Sequence, residues 1–171
     1  MGVSFRSRNH SSPYTGFVHA DASLVVDFLN TVDVEEGTDL LEDRQKWQEW
    51  AAGHGLTPSP PADTRAARDA LRAAVGDPRL PASELDVTAR ITLAPDGPEL
   101  VADDVVGAVL AACARLVVRG DWIRLKICPA DTCLWAFYDE SRNRSRTWCS
   151  MRVCGNREKA RGWRARAAVS N

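Results

Sequence analysis

Apolar residues in the front of the chain recur at helical spacing. Leu24, Val25, Phe28 and Leu29 predict a helix over residues 21–31, with Asp21 placed to cap its N-terminus. Leu40, Leu41, Trp47 and Trp50 predict a second over about 40–53, stopped by Gly53 and Gly55. After the loop TPSPPAD, an Ala- and Arg-rich stretch predicts a third over 64–75, ended by Gly76 and Pro78. The period then changes to two. VTARITL at 87–93 reads as a strand, Pro95-Asp96-Gly97-Pro98 turns the chain, and 99–102 returns as the second arm of a hairpin. Asp103 or Asp104 caps a helix reaching about Arg119, whose circumference is almost wholly apolar, so it is expected at the centre of the core. WIRLKI at 122–127 alternates and predicts a strand, as does the short run 14–20, while residues 1–13 are polar and expected to be flexible. The pattern predicts an α+β protein: a mainly helical N-terminal domain with a small β-sheet.

Composition narrows the class. A chain of 171 residues, 44% hydrophobic and 26% charged, can bury a real core with one small appendage. Its longest uncharged apolar run, 105–114, falls short of the roughly 20 residues that cross a bilayer. The first 13 residues carry arginines without an apolar h-region. These observations place the expected protein in the cytoplasm, with no membrane partner. The net charge of −1 conceals an asymmetry: from Lys126 onward ten Lys and Arg face four Asp and Glu, a net +6, so the first 125 residues carry −7. A basic tail behind an acidic body points to a polyanion partner for the tail.

Four of the five cysteines lie within 27 residues as Cys128-x4-Cys133-x15-Cys149-x4-Cys154. Zn²⁺ takes four thiolates in a tetrahedron, and each short pair can wrap a turn around two vertices. Two disulfides or an iron–sulfur cluster are the alternatives; a reducing cytosol disfavours the first, and the spacing differs from the ferredoxin patterns. Four thiolates fill the shell and leave no position for water, so one structural zinc is expected, without Lewis-acid chemistry. Cys113, inside the apolar helix, reads as a small buried hydrophobe.

Between the pairs, Leu134 to Tyr138 offer packing for the knuckle. Arg142, Arg144 and Arg146 follow at period two, so an extended backbone would send all three to one side. Beyond Cys154, Asn156 can cap a helix to about Ala168, on which Arg157, Arg161 and Arg164 share a face, Lys159 and Arg166 flank it, and Trp163 is expected to pack the other side against the knuckle. These eight cations are the candidate nucleic-acid contacts. Some of them can instead pair with the acidic front of the same chain.

The run CPADTCLWAFYDESRNRSRTWCSMRVCGNREKARGWRAR resembles a CGNR zinc finger, named for Cys154-Gly155-Asn156-Arg157. Leu24, Asp27, Phe28, Asn30 and Thr31, and more weakly Leu40, Leu41 and Trp47, are similar to the ABATE domain that accompanies that finger. The chain departs from the pattern at 76–98, which is short and proline-rich where longer helical material is expected. The resemblance implies an ABATE-like α+β domain at 14–125 and a treble-type zinc finger with a basic helix at 126–171. It also implies a bacterial stress-induced transcription regulator that binds one zinc and DNA, with the N-terminal domain sensing a small-molecule or protein effector or forming a homodimer. An RNA-binding or protein-interaction adaptor is the competing expectation. For an enzyme the best carriers are Asp27, Asn30, Asp33 and His54, but with no nucleophile–base pair and no phosphate loop no catalytic residue is assigned.

Overall fold

The computed structural model describes residues 17–87, 90–102 and 104–169. In chain order it runs α1 (Phe17–Leu29), a two-residue hairpin β1 (Val32–Asp33) and β2 (Thr38–Asp39), α2 (Arg44–Gly53), α3 (Pro61–Ala74), the hairpin β3 (Arg90–Ala94) and β4 (Gly97–Val101), α4 (Val105–Val118), β5 (Leu125–Ile127), β6 (Ala136–Tyr138) and α5 (Asn156–Val169). The three two-stranded sheets are separate and antiparallel, and the architecture is α+β as the pattern predicts. Of the expected strand at 14–20, residues 17–20 are helical and 14–16 lie outside the described residues, as does the expected flexible segment 1–13.

The core forms where α1 crosses α4 and α3. Val25, Phe28 and Leu29 from α1 meet Val105, Val109, Ala112 and Leu116 from α4, all fully or almost fully buried. Asp104 caps α4 by accepting from the Gly107 N–H at 2.8 Å. The helix is not buried all round, because Val117 and Val118 at its end reach solvent (58% and 87% exposed). Asp21 is not an N-cap: the helix begins at Phe17, and the Asp21 carboxylate binds Arg115 (2.6 Å) and Arg119 (2.9 Å) of α4, which lie four residues apart on one face. Asp43 rather than Leu40 opens the second helix, preceded by a 3₁₀ turn at Leu40–Glu42 capped by Asp39. The predicted strand at 122–127 is a strand only from Leu125; Trp122–Arg124 is a 3₁₀ turn that carries Leu125 and Ile127 inward and leaves Ile123 at the surface.

Two arginines of α3 are buried. Arg68 forms a two-pronged pair with Asp39, both bonds 2.7 Å, and Arg72, 1% exposed, has every direction of its guanidinium occupied. It donates to Asp77 (3.0 Å from Nε), to the Leu29 carbonyl at the end of α1 (2.7 Å), and to the Leu134 carbonyl beyond β5 (2.7 Å). Asp77 is buried, which favours its neutral form, yet hydrogen bonds from Arg79 and Arg72 hold its carboxyl below the usual range.

Arg72→Met is expected to lower stability by about 3–5 kcal/mol, because Asp77 and two buried carbonyls lose their partner at once. Denaturant unfolding of the zinc-loaded protein measures it, and an effect under about 1 kcal/mol would contradict the role given to Arg72.

His54 stacks on Trp50 (centroids 4.0 Å) and lies 3.6 Å from the Asp27 carboxylate of α1, whose hydrogen bond raises the imidazole above its ordinary value. A raised folded-state value stabilises below the unfolded value near 6.5, and that contribution is lost as pH rises through the folded one. Unfolding titrations between about pH 5 and 8 should show this loss in the native protein and its absence in His54→Gln.

Candidate metal centre and basic surface

The knuckle is a second, smaller core. Cys128, Cys133, Cys149 and Cys154 are buried together with Ala130 and Phe137, and Trp135 and Trp148 pack against them. Local backbone geometry brings each pair inward. The Cys133 N–H donates to the Ala130 carbonyl (2.8 Å) and the Cys128 N–H to Trp135 (2.9 Å), and Leu134 takes a left-handed φ of 48° to leave the turn. The second pair is joined by a wide helical turn, Met151–Gly155, in which the Gly155 N–H reaches the Ser150 carbonyl at 3.1 Å. A Cβ on Gly155 would meet the Met151 sulfur at 2.5 Å, which the exposed methionine can relieve by turning away, and Trp148 at 3.1 Å, where the ring must give by a few tenths of an ångström.

All four sulfur atoms lie within 4.8 Å of one another, with Cys133–Cys149 and Cys149–Cys154 at 3.6 Å. Four ligands at a Zn–S length of about 2.3 Å put tetrahedral sulfurs about 3.8 Å apart, so the set fits one zinc ion. Disulfides need about 2.05 Å, and all five cysteines are free. Hydrogen bonds from Cys133 and Cys149 pull the Cys128 thiol down, and the same sharing pushes Cys133 up. Zinc would take all four as thiolates, releasing their protons on binding. Cys113 lies apart on α4, 7% exposed, with burial pushing its thiol up to about 12.

The arginine loop at 139–146 is built around a buried acid. Asp139, fully buried, accepts from Lys126 Nζ (2.6 Å) and from the Ser141 and Arg146 N–H groups (both 2.9 Å). Burial opposes its charge, but the Lys126 bond first and the others with it hold the carboxyl down at about 2. Lys126 also donates to the Arg144 and Arg146 carbonyls, at 2.7 and 3.0 Å. Lys126 and Asp139 thus shape the loop, and no candidate list built on exposed cations includes them; the one cue was Asp139 two residues before Ser141, an Asx-turn spacing. The loop is therefore not extended. Arg144 closes a turn onto Ser141 (3.1 Å) at φ 53°, so period two does not apply.

The eight cations fall into two groups. Arg146 is consumed by the knuckle: its guanidinium donates to the Trp148 and Cys149 carbonyls and sits 4.9 Å above the Phe137 ring. Arg157 binds Thr132 and Glu35 (both 3.2 Å), and Arg161 binds Glu158 (2.6 Å) and Asp131 (3.2 Å). Arg157 and Arg161 share a face, and that face turns back toward acids of the first cysteine turn and the N-terminal body. Arg142, Arg144, Lys159 and Arg164 are exposed with no carboxylate partner among the described residues; Arg166 is exposed. Two expectations about α5 need correction. Asn156 already has helical φ and ψ and its side chain donates to Arg152, so Ser150 does the capping, accepting from Val153. Trp163 does not pack on the knuckle: it is 67% exposed.

Metal analysis of the reduced protein should give one zinc per chain. Stripping it with a chelator should abolish the knuckle's order while far-ultraviolet helicity of α1 to α4 largely persists, and Cys149→Ser should mimic the stripped state. A metal content near zero in protein never exposed to chelator would contradict the site.

The CGNR zinc finger family model matches residues 124–167, and the ABATE model, described as "Putative stress-induced transcription regulator", matches residues 22–121. No curated protein matches the chain. The first span contains the four clustered cysteines, and the second runs from within α1 to beyond the end of α4 and covers more than half of the sequence. The chain belongs to the ABATE family and carries a CGNR zinc finger behind that domain.

Proposed function

We propose that the protein regulates transcription in the bacterial cytoplasm by binding duplex DNA through the zinc module at 126–171, while residues 14–125 form the body that senses a signal or pairs two copies. The supporting observation is the group of exposed cations, Arg142, Arg144, Lys159 and Arg164, on a module whose backbone the cysteine site holds in place. Arginine grips phosphate with two parallel bonds and reads guanine in the same way. Arg152, exposed between the last two cysteines, joins this group although period and helix spacing did not single it out. Arg166 extends it along α5. Arg157 and Arg161 act at one remove in this reading. They fix the helix on the knuckle through Thr132, Asp131 and Glu35, and Arg146 fixes the loop. Among the described residues no helix is long and apolar enough to cross a membrane, and the reading involves no catalytic step.

Four phosphate contacts predict a slope of about −3.6 for log K against log salt on duplex DNA. Arg164→Ala should make that slope shallower by about one unit; a base-reading arginine would instead relax sequence preference by about 1–3 kcal/mol. Arg161→Ala should change the slope little, because its charge is already spent on Glu158 and Asp131. Zinc content is checked in each variant. If the zinc-loaded protein binds duplex DNA without salt dependence, or binds only single-stranded or structured RNA in direct competition, the adaptor reading replaces this one.

A further inference from the structure

A cavity of about 260 Å³ lies on the seam between the two family-matched segments. One wall is α1, with Val26 and Asp27; the others are the approach to β6, with Trp135 and Phe137, and the knuckle, with Arg146 and Val153. Most polar groups on this lining are already satisfied. The Asn30 amide is spent in both directions on the Ala136 backbone (2.9 and 2.8 Å), the Ser150 hydroxyl accepts from Val153, and Arg146 is committed to two carbonyls and the Phe137 face. Among the charged groups of the lining, Asp27 is the less committed one. Its carboxylate is 56% exposed, and its partner is the edge of His54 at 3.6 Å, which carries charge only when protonated.

The charges near this space have one sign in excess. Asp27 contributes one negative charge, and a zinc ion held by four thiolates, with Cys149 on the lining, carries a net −2, against the positive charge of Arg146 and, when it is protonated, that of His54 beside Asp27. Aromatic walls at Trp135 and Phe137 add a surface against which ammonium groups are attracted. An anion would meet a net negative field here. We propose that the cavity binds a small organic ammonium ion with an aromatic or compact apolar body, its cation on Asp27 and its body between Val26, Trp135 and Val153. At the density of liquid water the volume holds roughly nine non-hydrogen atoms.

Such a ligand would touch α1 and the knuckle together, so its binding energy would resist their separation. The inference concerns binding alone and involves no nucleic acid, so it fails or stands separately from the DNA-binding reading.

The test uses the full-length, zinc-loaded protein and three probes of matched shape: 2-phenylethylammonium, 2-phenylethanol and phenylacetate. The indole resonance of Trp135, assigned through Trp135→Phe, reports the site. The ammonium probe should shift it saturably, the alcohol should bind about tenfold more weakly, and phenylacetate should leave it unmoved. Asp27→Asn, an isosteric change at an exposed position, should bring the ammonium probe down to the affinity of the alcohol. Ser23→Trp, which fills the mouth from an exposed position on α1, should remove binding of both. At ten times its dissociation constant the ammonium probe should also slow zinc extraction by a chelator about tenfold, if extraction requires the seam to open. Equal affinity for the three probes, indifference to Asp27→Asn with zinc content intact, or no saturable shift of Trp135 would each overturn the proposal.

Discussion

A guanidinium that cannot reach water must find its partners inside, and Arg72 finds them on three separate stretches of chain. Its bonds to Asp77, Leu29 and Leu134 tie the turn after α3, the end of α1 and the exit from the first cysteine turn to one planar group. Desolvating such a group costs several kcal/mol, which these bonds must offset, so the three stretches can hardly move independently while it stays buried. Asn30, one residue beyond α1, adds a second tie by pairing with both backbone groups of Ala136 as a strand neighbour would. The metal centre is therefore not strung on a linker. Leu125, Ile127, Leu134 and Ala136 belong to the helical core, and Cys128, Cys133 and Phe137, interleaved with them along the chain, belong to the knuckle's own cluster.

With the knuckle seated in this way, the basic tail divides according to what each cation must hold. Arg146 and Lys126 face carbonyl groups and a buried carboxylate that need donors, so their charges are used inside the module. Arg157 and Arg161 answer Glu35, Asp131 and Glu158, which is where the acidic front and basic rear of the sequence partly neutralise each other. These pairs are largely exposed and individually weak, yet they set the direction in which α5 leaves the knuckle. The cations left outward are fewer than the sequence count of ten suggests.

Spacing made the metal ligands legible, because four soft donors at two equal intervals have few other uses and the constraint acts over five residues of backbone. The hairpin β3–β4 and the helix α4 were legible for a similar reason, because the turn and the Asp104 cap act locally, although the turn is only Pro95-Asp96 and Gly97 and Pro98 already pair in β4. What escaped was decided at long range. Arg68 and Arg72 look like the solvated stripe of an Ala-rich helix until Asp39 and Asp77 are brought against them. Asp21 has the composition of a cap but meets arginines 94 and 98 residues away. At 122–125 alternation and a tight turn place the same residues inward, so period two could not distinguish strand from 3₁₀. Trp163 lies on the side of α5 away from the arginine face, where packing against the knuckle is the sequence expectation, but helical spacing does not say which side meets the knuckle: Arg157 and Arg161 turn toward it, and Trp163 is left exposed.

The location of α1 gives the seam its consequence. One face of this helix supplies Val25, Phe28 and Leu29 to the helical core, while Ala22, Val26 and Asp27 line the space beside Cys149 and Val153. A displacement of α1 by one ångström would thus be felt both at Leu116 of α4 and at the turn bearing the last two cysteines, since close-packed neighbours respond by shifting rather than compressing. Two elements lie next in line to take up such a shift: the wide turn Met151–Gly155, which holds Cys154 inward and leaves the Met151 side chain 47% exposed, and the outer length of α5. Both lie on the side of the finger that carries Arg152, Lys159 and Arg164. The rigid ties at Arg72 and Asn30 hold the first cysteine pair to the body, so any motion transmitted from α1 would be concentrated at the second pair and the basic helix that follows it.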